Sequence, residues 1–232
     1  MKLTDELINR KWPAENPDIL QLYSFPTPNG RKIGIALEEM GLDYEPHLVR
    51  LGDEYVRSPE FLSLSPNNKI PAIIDPNGPD GQMVKLFESG AILIYLAEKS
   101  GKFLPTDTAG RMRVIQWLMW QMGGLGPMFG QLGFFTKFAG SEIEDPRPRE
   151  RFITEARRLL AVLDKEPASQ DWIAGDYSIA DMAIGPWLVA LDFYGARDIV
   201  GWDDKANVVA YLDRFMDRPG VQAGLNVPPR PT

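Results

Sequence analysis

Thr27-Pro28-Asn29-Gly30 places a hydroxyl and an amide in a turn where an apolar stretch gives way to a helical pattern. Proline suits the first turn of a helix, because its missing N–H is not needed there. The N-terminus of a helix offers free N–H groups and the positive end of its dipole, which together stabilise a thiolate. The Thr27 hydroxyl and the Asn29 amide could each donate a hydrogen bond to such a sulfur. The alternative is a capped turn that binds nothing.

Ile70-Pro71 is a second candidate, in a segment (69–75) whose composition favours a strand. Proline in a strand lies at an edge or begins the strand. A cis bond here, which is uncommon for X–Pro pairs, would leave the N–H and C=O of Ile70 to pair with an extended peptide.

Glu88-Ser89 is a third candidate, at the start of a predicted helix. Ser89 could hold a carboxylate through its hydroxyl and backbone N–H, and Glu88 could meet an ammonium group. A helix cap with an acidic neighbour would explain the pair equally well.

The residue types that the chain lacks limit the kinds of reactive site that it can form. The chain has no cysteine and one histidine, His47. A disulfide, a zinc–thiolate site, a nucleophilic thiol and a multi-histidine metal site are therefore excluded, and a Ser-His-Asp hydrolase is disfavoured. Any thiol that reacts at the 27–30 turn has to come from outside the protein.

The length, composition and net charge of the chain limit the classes of protein to which it can belong. With 232 residues, 44% of them hydrophobic and 25% charged, the chain is expected to fold as one large or two modest domains. A net charge of -7 disfavours nucleic acids and anionic membrane surfaces as partners. No apolar run approaches the roughly 18 residues of a membrane span. The first residues lack the apolar segment of a signal peptide, so a cytoplasmic location is expected.

The periodicity divides the chain in two. Residues 1–18 show no periodicity and are predicted to be an arm over the surface. Residues 19–101 then read as strands and helices in the order β-α-β-(α)-β-β-α, with strands at 19–25, 44–51, 69–75 and 83–87 and helices from Pro28 to Gly41 and over 89–101.

From residue 107 the pattern is helical, over 109–122, 148–164, 179–194 and 205–217, before a proline-rich tail at 223–232. Strands followed by helices predict an α+β domain (19–101) and then an all-helical domain (107–222).

Several segments resemble one known family. SPNNKIPAIID (65–75) and LFESGAILIYLAEKSG (86–101) resemble the glutathione site of the cytosolic glutathione transferases, and YSIADMAIGPW (177–187) is similar to the helix-capping motif of that superfamily. TPNG and QWLMWQMGGLGPMFGQ (116–131) are similar to the Nu-class branch of disulfide-bond reductases. The resemblance spans residues 20 to about 222. It implies a thioredoxin-like N-terminal domain, an all-helical C-terminal domain and a homodimer.

The resemblance also implies roles along bound glutathione (γ-Glu-Cys-Gly). Glu88 and Ser89 would take the γ-glutamyl end, the backbone of Ile70 would pair with the cysteinyl residue, and Lys69 would suit the glycyl carboxylate.

Thr27 and Asn29 would face the sulfur, and Arg151 matches an arginine that reaches the bound peptide in this branch. A solvated helix face is the alternative for Arg151. One departure concerns Val56-Arg57, where the branch often has Gln-Phe, so an amide contact with glutathione is in doubt.

Three functions fit these residues. The first is a glutathione-dependent disulfide oxidoreductase that reduces small disulfides, with two glutathione molecules or their disulfide in the site and no metal. The second is a transferase that conjugates glutathione to a small hydrophobic electrophile. The third is a non-catalytic glutathione-binding regulatory module. The Thr-Pro-Asn-Gly turn favours the first, since conjugating classes often carry Tyr or Ser there.

Overall fold

The N-terminal part of the chain forms a mixed four-stranded sheet. The computed structural model describes residues 2–229 and places the strands at β1 (Leu20–Ser24), β2 (Tyr44–Leu48), β3 (Ala72–Asp75) and β4 (Val84–Phe87), in the order β2-β1-β3-β4. β1 and β2 are parallel, and the other two pairs are antiparallel. β1 and β3 are buried along their whole length, as central strands between covering layers are.

Four helices connect or follow these strands: α1 (Pro28–Met40), α2 (Asp53–Val56), α3 (Pro59–Leu62) and α4 (Ser89–Ser100). α1 ends at Gly41 and α4 at Gly101, both with φ near +69°. This left-handed conformation favours glycine, which is why the sequence marks both helix ends clearly. The predicted order of elements and the thioredoxin-like fold are confirmed.

The first 18 residues differ from the predicted surface arm. Leu3–Asp5 and Leu7–Arg10 form 3-10 turns, and Leu3, Ile8 and Trp12 are buried in a core cluster that contains Tyr23 and Phe61. Irregular turns bury side chains without a regular repeat, so periodicity could not reveal this packing. Met1 lies outside the described residues.

The second part of the chain is helical, as predicted. It comprises α5 (Thr108–Trp120), a π-helical turn (Gln121–Leu125), α6 (Gly126–Lys137), α7 (Pro146–Leu163), α8 (Ile179–Tyr194), α9 (Arg197–Val200) and α10 (Ala206–Met216). Together with the mixed sheet of the first part, this confirms the predicted fold class. Among the described residues, no helix has the length and apolarity needed to cross a bilayer.

α6 was not foreseen, because Gly126, Gly130 and Gly133 weaken the helical pattern. Gly133 allows a close helix–helix approach, since a Cβ there would lie 2.6 Å from the Tyr194 ring at the end of α8. Packing outweighs the low helix propensity of glycine here. Phe134 and Phe135 lie on this helix.

Asp181 organises the start of α8. Its carboxylate accepts hydrogen bonds from the backbone N–H of Ser178 (2.8 Å) and of Ile173 (3.0 Å) and from the Tyr211 hydroxyl (2.9 Å). The Ser178 side chain in turn caps the helix. This is the reciprocal capping box that the Ser-x-x-Asp spacing predicts.

Two compact units result. Residues 2–102 and 219–229 form one unit, and Phe103–Arg218 forms the other. The last helix, α11 (Pro219–Gly224), therefore differs from the predicted assignment of 219–222 to the helical domain. It packs on α1 where two glycines meet: a Cβ on Gly34 would lie 2.5 Å from the Gly224 oxygen. Residues 230–232 of the predicted tail lie outside the described residues.

Candidate functional site

A cavity of about 280 Å3 in the first unit brings together residues from three separate segments. Five of the seven predicted site residues line it, together with Pro71 and two residues that were not singled out. Its lining consists of Asn29, Asn67, Lys69, Ile70, Pro71, Phe87, Glu88 and Ser89.

The N-terminus of α1 forms one wall. Thr27 is the N-cap, and its Oγ1 accepts a hydrogen bond from the backbone N–H of Gly30 at 3.3 Å. The turn requires glycine at position 30, since a Cβ there would lie 1.9 Å from the Phe25 carbonyl oxygen. Thr27 thus caps the helix from just outside the cavity lining, while the half-buried Asn29 lines it.

The segment before β3 forms a second wall. The Ile70–Pro71 bond is cis, and the antiparallel ladder begins two residues after Ile70, with Ala72 opposite Tyr23 and Phe87. The Ser65 hydroxyl donates to the Lys69 carbonyl at 2.8 Å, which fixes the loop that presents Lys69 and Ile70.

The start of α4 forms the third wall. Glu88 is the N-cap, with φ 73° and ψ 111°. Residues other than glycine rarely adopt a backbone conformation with such a positive φ. Ser89 is the first helical residue and is buried, whereas Glu88 is exposed. The N–H groups at this helix end suit an anion, and the Glu88 carboxylate suits an ammonium group.

Lys32 lies directly behind this wall and was missed. Its side chain is 0% exposed, and its Nζ donates to Ser89 Oγ at 3.2 Å. Burial lowers the pKa of Lys32 to about 7, while the nearby Glu88 carboxylate acts in the opposite direction. The signal in the sequence was a charged residue directly before the apolar stripe that starts at Ile33.

Asn67 and Phe87 were also missed as lining residues. Asn67 lies two positions before Lys69 in the segment that carried the resemblance, and Phe87 directly precedes Glu88. Their closeness to predicted residues was the available signal. An amide at position 67 adds a further hydrogen-bonding group to a cavity that already holds charges of both signs.

Arg151 lies on α7 in the other unit, on an exposed face. There it lines a separate cavity of about 730 Å3 with Arg147, Glu150 and Glu155. Its contact with a bound peptide stays a prediction.

Val56, the departure from the branch pattern, is buried in the core cluster of the first unit. Arg57 pairs with Asp53, with Nε and Oδ1 3.0 Å apart. Among the described residues, no group of three or more His, Cys, Asp or Glu side chains is placed to hold a metal ion.

Comparison with known proteins agrees with this fold. Residues 19–98 match the glutathione S-transferase N-terminal domain. The disulfide-bond oxidoreductase YfcG of Escherichia coli (strain K12) is 51% identical over 174 residues, which cover 74% of this chain and 80% of that protein. The chain belongs to the glutathione S-transferase family.

Two solved structures are similar over nearly the whole chain. A glutathione transferase from Pseudomonas putida, with one glutathione disulfide bound per subunit, is 57% identical with a TM-score of 0.96 and covers 98% of this chain and 100% of its own. A glutathione transferase from Burkholderia graminis, with two glutathione molecules per subunit, is 58% identical with a TM-score of 0.96 and covers 99% of this chain and 96% of its own.

Proposed function

We propose that the protein is a glutathione-dependent disulfide oxidoreductase that reduces small disulfides, with two glutathione molecules or glutathione disulfide in its site. The carrying observation is the cavity in which Asn29, Ile70 and the Glu88-Ser89 pair meet, in a chain without cysteine. The relative named a disulfide-bond oxidoreductase and the similar structures with glutathione disulfide or two glutathione molecules support the proposal.

Each wall of the cavity suits one part of the tripeptide. Ser89 and the N-terminus of α4 bind the γ-glutamyl carboxylate, and Glu88 binds its ammonium group. The backbone of Ile70 pairs with the cysteinyl residue in the manner of an added strand. Lys69 attracts the glycyl carboxylate, and Arg151 is proposed to reach the bound peptide.

The sulfur lies at the N-terminus of α1. The Thr27 hydroxyl and the Asn29 amide donate to the thiolate, and the helix dipole favours its negative charge. The protein therefore positions and stabilises the nucleophile and forms no covalent bond itself.

Two exchange steps complete the reaction. The first glutathione thiolate attacks a sulfur of the substrate disulfide, which forms a mixed disulfide and releases one thiolate that takes up a proton. The second glutathione thiolate attacks the glutathione sulfur of the mixed disulfide, which forms glutathione disulfide and releases the second thiol. Two glutathione molecules thus supply the two electrons that the substrate disulfide accepts.

A test compares two identical substitutions at opposite ends of α4. Ser89→Ala is expected to raise the Kd for glutathione and lower the rate of hydroxyethyl disulfide reduction about tenfold or more, because a hydrogen bond to a charged group is lost. Ser100→Ala, at the other end, is the control and should behave as wild type. Failure of the wild-type protein to bind glutathione or its disulfide would refute the proposal.

Two alternatives remain distinguishable by assay. If the protein conjugates glutathione to a chlorinated dinitrobenzene much faster than it reduces hydroxyethyl disulfide, it is primarily a conjugating transferase. If it binds glutathione and does neither, it is a binding module.

Location and assembly form part of the proposal. A reductase that consumes glutathione needs a reducing pool, which favours the cytoplasm. A homodimer follows from the family resemblance, and sedimentation of the purified protein would test it.

A further inference from the structure

Lys32 is a buried charge-bearing group directly behind the cavity wall. It lies on α1, is fully inaccessible, and donates from Nζ to the Oγ of Ser89 at the first position of α4. Ser89 itself lines the cavity. A single hydrogen bond therefore separates a buried amine from the surface that faces a ligand.

The polarity of this hydrogen bond determines what Ser89 can do. An ammonium group has three donors and no acceptor, so Ser89 Oγ has to accept from it. The hydroxyl proton then points away from Lys32, toward another acceptor. A carboxylate in the cavity beside Ser89 would receive that proton.

Charge adds to this orientation. A positive charge in the protein interior is poorly screened, so it attracts an anion that binds one hydroxyl away far more than a surface lysine would. Burial alone disfavours the charged form and lowers the pKa of Lys32 to about 7, and the Glu88 carboxylate opposes that shift. A ligand carboxylate at Ser89 acts in the same direction as Glu88.

We propose that Lys32 is a positioning residue that orients the Ser89 hydroxyl and makes the site selective for a ligand with a free α-carboxylate at its γ-glutamyl end. This inference rests on the proposed function. It assigns to Lys32 the preference for glutathione over peptides that lack this carboxylate.

The experiment measures binding of two ligands by calorimetry. One is glutathione, and the other is γ-aminobutyryl-cysteinyl-glycine, the same tripeptide without the γ-glutamyl α-carboxylate. Lys32→Met keeps an unbranched chain of similar volume and removes the ammonium. We expect it to weaken glutathione binding about 10- to 100-fold and to leave binding of the analogue within about twofold.

Further variants separate positioning from damage to the fold. In the Lys32→Met/Ser89→Ala double variant, the loss in glutathione affinity should be smaller than the sum of the single losses, because both residues act on one carboxylate. Lys32→Gln removes the charge and keeps a donor, so its loss should be smaller and again confined to glutathione. It also provides the test if Lys32→Met does not fold.

A matched control exists at the other end of α1. Lys102 donates to the Met40 carbonyl at 2.7 Å and is exposed. Lys102→Met removes a lysine that contacts the same helix, and both ligands should bind it as they bind wild type.

The outcomes are distinct. If wild type does not bind glutathione, the proposed function fails. If wild type binds glutathione and the Lys32 variants bind it equally well, the inference about Lys32 is overturned while the proposed function stands. An equal loss for both ligands also overturns the inference, because a carboxylate-specific role predicts a loss for glutathione alone.

Discussion

Thr27 Oγ1 accepts a hydrogen bond from the backbone N–H of Gly30 at 3.3 Å, so the hydroxyl that is proposed to donate to the glutathione sulfur also caps α1. One lone pair of this oxygen accepts the hydrogen bond within the helix, and the hydroxyl proton can be donated to a group outside the helix. Capping and the proposed thiolate stabilisation thus involve one side chain, and substitutions can separate them.

Thr27→Asp keeps the cap and reverses the electrostatics at the sulfur. Aspartate is a strong N-cap and its charge suits the helix N-terminus, so the free energy of unfolding should equal or exceed that of wild type. A carboxylate beside the thiolate should lower the rate of hydroxyethyl disulfide reduction by about tenfold or more. Thr27→Ser retains both properties and serves as control. A fully active Thr27→Asp enzyme would contradict the placement of the sulfur.

Asn29→Ala tests the second donor. Asn29 lies in the first turn of α1, and Thr27 rather than Asn29 caps the helix, so the loss of stability should stay below about 1 kcal/mol. Reductase activity should fall by about tenfold, because the bound thiol loses one of the donors that keep it ionised. Urea unfolding and the disulfide assay, run on the same preparation, give both numbers. An unchanged rate would remove Asn29 from the mechanism.

The residues that the sequence revealed are those with local signals. Thr27, Pro28 and Gly41 mark the ends of α1 through capping and backbone preferences, which act within a few residues. The start of α4 lacks such a capping bond, because Ser89 is already the first helical residue and the side chain of the N-cap Glu88 does not cap the helix. Their convergence with Ile70 on one cavity was indicated by the family resemblance rather than by any local rule.

The residues that were missed depend on packing between distant segments. Lys32 is buried because α1 and α4 pack together and Ser89 accepts its hydrogen bond, 57 positions along the chain. Trp12 is buried against the side chains of Tyr23 and Phe61. Periodicity describes one element at a time, so it cannot predict a charge or an aromatic ring that a distant element buries.

Asp181 is predicted to stabilise the helical unit. Asp181→Ala would remove a buried carboxylate that accepts from two backbone N–H groups and the Tyr211 hydroxyl. Leaving those donors without an acceptor should lower the free energy of unfolding by about 3 kcal/mol or more. Asp213→Ala, on the exposed face of α10, is the control and should change it by less than about 0.5 kcal/mol. Denaturant unfolding with tryptophan fluorescence would compare them, and equal stabilities would contradict the capping role.

The buried Lys32 also predicts that the stability of the protein depends on pH. Burial lowers its pKa from 10.5 to about 7, so between these values the unfolded chain binds a proton that the folded protein does not. Since the unfolded state binds more protons, the free energy of unfolding rises with pH through that window. Below the window, the buried charge lowers the free energy of unfolding by a few kcal/mol. Lys32→Met should therefore be more stable than wild type at pH 7, with an advantage that shrinks toward pH 10. Urea unfolding at several pH values measures the difference, and parallel curves for wild type and Lys32→Met would show that the buried amine carries no such cost.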